Sequence, residues 1–260
     1  MATDDDHRLA RELAGAAGEL LLELRDRMVA DGVTGRDLGA RGDAVGHAML
    51  VDRLAEARPD DKVLSEESTA AEHQDLSRLD APRVWIIDPL DGTREYGEER
   101  SDWAVHVALV EDQVPTAGAV ALPGLGLVLA TDDPPVLGPA AQVPRVVVSR
   151  TRPPAEAEAV ARALGAELLP MGSAGAKAMA VVRGEAEAYP HSGGQYEWDS
   201  CAPVAVALAA GLHCSRLDGS LLRYNQADVS LPDLLICRTE LADRALAAAA
   251  GSRASATGAP

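Results

Sequence analysis

The stretch WIIDPLDGTREY, Trp85–Tyr96, opens as something to be buried and closes as something to be wet. Arg83–Ile87 is β-branched and apolar, the composition of a strand covered on both faces. Pro89 biases Asp88 toward extended geometry and has no N–H to give to a ladder. The strand is therefore expected to end with Asp88 at its tip. Asp91 follows after a tight turn, where its type suits a cap. Gly92 permits unusual backbone angles and the close approach of a ligand. The amides near Gly92 and Thr93 can then face an anion, as helix N-termini do.

Two carboxylates at one strand tip repel each other unless they share cations. All-oxygen ligands select hard ions such as Mg²⁺, which takes few protein carboxylates together with substrate phosphate oxygens. The Leu90 carbonyl, between the aspartates, adds another oxygen. By itself the stretch reads more simply as a capped turn with solvated carboxylates, so the metal reading needs carboxylates from elsewhere. VLSEES, Val63–Ser68, supplies Glu66 and Glu67 after another short apolar run. If both strand tips lie at one sheet edge, Glu66 joins Asp88. YEWDSCAP, Tyr196–Pro203, supplies Asp199 at the polar start of an apolar helix, a place that also suits the helix dipole.

The chain has 260 residues, of which 47% are hydrophobic and 3% aromatic, with no Phe. That suits one large domain or two layered halves, with a core mostly of Ala, Leu and Val. A net charge of -17 repels DNA, RNA and anionic membranes. A phosphorylated small substrate would need local positive charge or metal ions. Cys201, Cys214 and Cys237 form no CxxC pair, which favours a reducing compartment. The start, MATDDDHRLARELAG, lacks the shape of a signal peptide, and no apolar run is long enough to span a bilayer. The expectation is a soluble cytoplasmic protein.

Leu9, Leu13, Leu20, Leu24 and Met28 recur at helical spacing. Gly32–Gly42 reads as turn-rich, and a second helix is expected from about Asp43 to Ala57, before Pro59. KVLSE, RVWII, WAVHVALV, TAGAVAL and GLVLAT follow as strands with little room for helices between them, so part of this half is expected to be antiparallel. Asp132–Pro144 is a Pro-rich loop and the best internal boundary. Beyond it, RVVVS and ELLPM read as strands, and PAEAEAVARALG, GAKAMAVVRG and EWDSCAPVAVALAAG as helices, an α/β alternation. The expected division is an N-terminal α+β half over 1–144, a C-terminal α/β half over 145–250, and a disordered tail over 251–260.

Taken in order, Asp43, EES, WIIDPLDGT and WDSCAP resemble the signature of the lithium-sensitive, magnesium-dependent phosphatase superfamily of inositol monophosphatases, fructose-1,6-bisphosphatases and 3′-phosphoadenosine 5′-phosphate phosphatases. The resemblance implies a layered αβαβα sandwich and two or three Mg²⁺ ions. It implies that Glu66, Asp88, the Leu90 carbonyl, Asp91 and Asp199 hold the metal. It implies that Thr93, with Glu66 and Asp43, orients or deprotonates the attacking water, and that the Gly92 and Thr93 amides hold phosphate. One departure is ARGDAV, where Arg41 and Gly42 precede Asp43 in place of the Thr-Ala or Lys-Ala of many relatives.

Within the superfamily, TREY, the Cys-Ala-Pro after Asp199, VSRTRPP (Val148–Pro154) and GSAGAKAMAVVRGEAEAY (Gly172–Tyr189) resemble the CysQ-type 3′(2′),5′-bisphosphate nucleotidases. GSAGAKAMAV, SRLDGS and LRYNQ resemble actinobacterial members of that group. This implies a small phosphorylated nucleotide substrate whose second phosphate meets Ser149, Arg150, Arg152, Ser173 and Lys177, with Asp199 beside the substrate. On the residues alone, Lys177 reads as a lysine snorkelling from an amphipathic helix. Arg94 binds phosphate or pairs with Glu95. His106, in the strand WAVHVALV, reads as a structural histidine. His191 borders the base or lies in a plain turn. Cys201 reads as a small buried residue, and no GxSxG elbow supports a serine nucleophile.

Three functions stay open. One is removal of the 3′-phosphate from 3′-phosphoadenosine 5′-phosphate, with 3′-phosphoadenylyl sulfate as a related substrate, in sulfur metabolism. Another is inositol or sugar-phosphate hydrolysis at the same metal site. The last is a non-catalytic anion-binding module. A monomer and a homodimer both fit the resemblance.

Overall fold

The first helix is anchored before it begins. Thr3 accepts from the Asp6 amide while the Asp6 carboxylate receives the Thr3 amide, a reciprocal capping box. Asp6 is nearly inaccessible and also receives Arg58 at 3.0 Å and Arg83 at 2.8 Å. The computed structural model describes residues 1–257. Helix α1 (Asp4–Ala30) buries Ala10, Leu13, Ala14, Ala17, Leu21 and Leu24 on one stripe, and α2 (Gly35–Ala57) lies beside it.

A first sheet contains β1 (Lys62–Ser65), β2 (Val84–Asp91), β3 (Ala104–Glu111), β4 (Val114–Leu122) and β5 (Leu127–Ala130), paired in that order. Short helices α3 (Ala70–Gln74) and α4 (Thr93–Gly97) follow β1 and β2. The β1–β2 pair is parallel and the remaining pairs are antiparallel, as the closely spaced strand runs lead one to expect. The second half contains β6 (Arg145–Ser149), α5 (Ala155–Leu164), β7 (Glu167–Met171), α6 (Ala174–Val182), β8 (Ala188–Tyr196), α7 (Glu197–Ala209), β9 (His213–Ser215), β10 (Ser230–Cys237) and α8 (Ala242–Thr257). Its sheet has the order β7-β6-β8-β10-β9.

Strand alternation sorts the core into layers. Trp85, Ile87, Val105, Val107 and Leu109 face α1 and α2. Val84, Ile86, Ala104 and Ala108 face α6 and α7, whose other sides meet Val147, Tyr189, Leu234 and Ile236 of the second sheet. Val146, Val148, Ala188 and Leu235 face α5 and α8. The result is the expected αβαβα sandwich. Helix α7 lies C-terminal to the 132–144 loop and packs on β2, β3 and β4, so both sheets share one central core.

The structure differs from the sequence reading at four places. The strand does not stop at Asp88: β2 runs on to Asp91 through a bulge, where the missing N–H of Pro89 costs little. The second helix begins at Gly35, ahead of the expected Asp43. Its glycines serve packing: a Cβ on Gly39 would stand 2.7 Å from Thr93 Cγ2, and one on Gly42 2.8 Å from Leu90 Cδ2. Residues 251–257, expected in a disordered tail, continue α8, where the alanine-rich run favours helix over coil; 258–260 lie outside the described residues. His191 lies in β8, not in a loop.

Candidate active site

In a regular strand, residues three apart point to opposite faces. Asp88 pairs with His106 and Asp91 with Ala104, so three steps along β2 match two along β3. That extra residue turns Asp91 to the same inward face as Asp88. The apolar Leu90 packs outward with the α1–α2 core. The bulge at Pro89 is thus what converts two aspartates of opposite phase into a pair.

Asp88 and Asp91 meet Asp199 from the first turn of α7, with one oxygen of each within 4.8 Å of the others. Asp88 is fully buried; its Oδ1 accepts the Leu90 amide at 3.0 Å, while Oδ2 has no hydrogen-bond partner. Burial, then the charges of Glu66, Asp91 and Asp199, push its carboxyl well above the ordinary carboxylate range. Asp199 accepts the Tyr196 amide at 2.6 Å, and burial followed by the Asp91 charge raises it to about 7.

Asp91 behaves oppositely. It accepts Ser173 Oγ at 2.5 Å, the Gly175 amide at 2.5 Å and the Ala174 amide at 3.1 Å, at the N-terminus of α6. His106 Nε2 stands 3.4 Å from its Oδ2. Burial pushes the carboxyl up, but His106, Ser173 and the Gly175 amide outweigh burial and hold it at about 2. One carboxylate of the cluster is therefore kept charged while its neighbours resist ionisation.

Parallel pairing of β1 with β2 brings Ser65 level with Ile87, and so carries Glu66 to the edge that bears Asp88. Desolvation in the cleft, then the Asp199 charge, raises Glu66 to about 8; its exposure lets solvent moderate that rise. Asp43 comes from α2. Thr93 Oγ1 lies 3.2 Å from Asp43 Oδ1 and 3.2 Å from the Leu90 carbonyl, and its single proton serves both acceptors. Desolvation, then Glu67, raises Asp43 to about 7 against the opposing Thr93 hydrogen bond. Both residues line a cleft of about 550 Å³ with Gly35, Arg36, Ala40, Arg94 and Glu98. A larger cavity of about 720 Å³ is lined by Val110, Asp112, Gln113 and Arg223. It lies at the far end of the first sheet, away from these carboxylates.

A buried carboxylate oxygen without a hydrogen-bond partner, two carboxyls raised by burial and then by neighbouring charge and an all-oxygen donor set fit a hard divalent cation. Gly92 fits a tight phosphate turn: its φ is 92°, and a Cβ would stand 3.1 Å from Ser173 Cβ.

Lys177, Arg150, Ser173 and Ser149, expected as substrate contacts, are engaged with the protein itself. Lys177 is buried, and its Nζ donates to the Gly172 carbonyl at 2.9 Å and the Ser173 carbonyl at 2.5 Å. Burial lowers its ammonium below the ordinary lysine value, although Asp91 and Glu95 act against this. Arg150 gives one edge to Glu95 at 2.7 Å and another to Glu98 at 2.7 Å. Ser173 caps α6 as well as holding Asp91. Ser149 Oγ accepts the Arg152 amide at 3.3 Å on an exposed turn. Of the two readings of Arg94, phosphate binding or a pair with Glu95, the second is corrected: Arg94 pairs with Glu98; four residues apart, the two side chains share a helix face. Burial holds the Cys201 thiol well above its usual range, in keeping with its reading as inert packing.

Three residues stand at the site that the sequence reading did not place there, Glu95 among them although it lies in TREY. His106 is visible only once β3 is registered against β2. Glu95 becomes visible through its contact with Arg150, and Arg36 through the early start of α2.

Comparison with known proteins follows the same lines. The inositol monophosphatase family pattern matches residues 4–254. A Mycobacterium leprae protein named 3′-phosphoadenosine 5′-phosphate phosphatase is 49% identical over 251 residues, covering 91% of this chain and 90% of its own. One of the same name from Mycobacterium bovis is 51% identical over 245 residues, covering 90% and 89%. The crystal structure of CysQ from Bacteroides thetaiotaomicron superposes with a TM-score of 0.75 at 26% identity, covering 90% of this chain and 97% of that one. The chain belongs to the inositol monophosphatase family.

Proposed function

We propose that this phosphatase removes the 3′-phosphate of 3′-phosphoadenosine 5′-phosphate, giving AMP, and acts on 3′-phosphoadenylyl sulfate by the same chemistry. The observation that carries the reading is the meeting of Asp88, Asp91 and Asp199 beside a Thr93–Asp43 hydrogen bond that opens on a cleft. The nucleotide part rests on relatives at about half identity that bear that substrate in their names. In the cytoplasm this reaction would clear a by-product of sulfate activation.

Asp88, Asp91, Asp199, Glu66 and the Leu90 carbonyl would hold two or three Mg²⁺. Bound there, Mg²⁺ supplies Lewis-acid activation of water and charge neutralisation at the departing oxygen. The remaining work falls to the chain. The proton of Thr93 Oγ1 points to Asp43 and the Leu90 carbonyl, so its lone pairs are left to accept a proton from water and hold that water in line. Asp43 sits at the accepting end of the Thr93 hydrogen bond and would receive a proton through it. The left-handed turn at Gly92 lets the phosphate approach the Thr93 amide. Arg152 lies in the expected nucleotide loop; Lys177 gives two of its three N–H donors to backbone carbonyls, which leaves one for a phosphate oxygen.

The test is phosphate release with Mg²⁺, comparing 3′-phosphoadenosine 5′-phosphate, inositol 1-phosphate and fructose 1,6-bisphosphate at equal concentration. A strong nucleotide preference is expected. A preference for inositol or sugar phosphate would keep the metal site and discard the nucleotide assignment.

A further inference from the structure

His106 touches the carboxylate cluster from behind. It is fully buried on β3. Its Nδ1 lies 2.9 Å from the Trp198 carbonyl, so this nitrogen carries the proton and donates. The acceptor immediately precedes Asp199. The opposite ring nitrogen, Nε2, stands 3.4 Å from Asp91 Oδ2, and Nδ1 is 4.0 Å from Asp88 Oδ2. One ring therefore contacts or adjoins all three carboxylates of the cluster, two directly and the third through its neighbouring backbone.

The ring fits only because residue 175 has no side chain. A Cβ built on Gly175 would stand 2.0 Å from His106 Nε2 and 3.0 Å from His106 Cε1. Gly175 lies inside α6 with no left-handed φ, so its lack of a side chain answers to space and not to backbone conformation. In the same turn its amide donates to Asp91 Oδ2. Glycine is a poorer helix former than alanine, and here its missing side chain admits the imidazole.

We propose that His106 and Gly175 act as a pair that positions Asp91 and the start of α7, so that the carboxylate cluster is set for a divalent cation before the cation arrives. This rests on the metal-dependent reading above. The Trp198 carbonyl fixes the ring plane, Gly175 leaves the ring its place, and the ring edge limits how far Asp91 can swing. Nε2 has no hydrogen-bond partner among the described residues, so the ring acts on Asp91 by contact; loss of the groups that orient metal ligands weakens metal binding about 10–100-fold.

The experiment measures Mn²⁺ affinity by the paramagnetic signal of the free ion, together with Tm in metal-free buffer. The proteins compared are wild type, His106→Ala, Gly175→Ala and the double variant. Each single variant is expected to weaken Mn²⁺ binding about 10–100-fold and to lower Tm, one by leaving a void and the other by displacing the ring. In the double variant the methyl introduced by Gly175→Ala refills the vacated space, so Tm is expected to recover while Mn²⁺ affinity stays low. Recovery of both would make the pair a matter of packing alone and overturn the proposal, as would unchanged or tighter Mn²⁺ binding in His106→Ala. A wild-type protein that binds no Mn²⁺ would instead overturn the functional reading on which the pair depends.

Discussion

Thr93 Oγ1 and Asp43 Oδ1 lie 3.2 Å apart, joining the turn after β2 to the middle of α2. The contact depends on the close approach of helix and turn at Gly39 and Gly42, so packing and chemistry are coupled at this point.

If Thr93 holds the attacking water as proposed, Thr93→Ala removes that hold. We expect kcat to fall about 10²–10⁴-fold, the range for loss of a positioned proton-transfer group. The Mg²⁺ concentration giving half-maximal rate should change little, because the cation-binding carboxylates remain. Steady-state kinetics over a Mg²⁺ series checks both quantities; a large shift in Mg²⁺ dependence would make Thr93 part of the cation site.

Gly39→Ala drives a methyl toward Thr93 Cγ2, 2.7 Å from the new Cβ, and the Thr93 carbonyl at 3.1 Å. Overpacking of this kind costs about 1–3 kcal/mol, and here it also displaces Thr93. Denaturant unfolding should show the destabilisation, with a fall in kcat alongside. A fully active, equally stable variant would show that α2 can slide without disturbing the site.

Asp91→Asn keeps the shape of the side chain but removes the charge that the α6 amides and His106 hold in place. A loss in kcat/KM on the order of 100-fold is expected, recovered in part at high Mg²⁺, as for a lost carboxylate ligand. Retention of the wild-type Mg²⁺ dependence would remove Asp91 from the ligand set.

Asp43 at about 7, Asp199 at about 7 and Glu66 at about 8 give the metal-free protein a distinct pH response. Unfolded carboxyls titrate near about 4, so between roughly pH 4 and 8 the folded state holds protons that the unfolded state has released. Stability from these groups is full below the unfolded pKa and is lost as pH rises through the folded values. In chelator, Tm should fall from pH 5.5 to 8.5; saturating Mg²⁺ should reduce that fall. A Tm that rises over this range in chelator would contradict the electrostatic picture.

Much of this is legible in the residues. The strand runs, the acidic tips and the helix bearing Asp199 follow from periodicity and end signals. The phase of Asp91 does not, because Pro89 reads as a stop and only a partner strand shows it to be a bulge. The start of α2 is hidden because Gly39 and Gly42 carry the composition of a turn while serving a close helix contact. His106 reads as structural, and its place behind the carboxylates emerges only from the β2–β3 register. Arg150 and Lys177 have the charge expected of phosphate contacts, but their engagement with Glu95, Glu98 and backbone carbonyls depends on long-range folding.

Asp88 and Asp91 belong to the first sheet, whereas Asp199 enters on a helix from beyond the 132–144 loop. A cation gripped by all three would act as a clasp across that seam. By mass action, an ion that binds only the closed arrangement stabilises it, so depleting the ion would loosen the seam as well as silence the chemistry. Under such starvation the first amides to exchange with solvent should be those of α7 where it meets β2, a local opening in which the catalytic fault and the structural fault are one event.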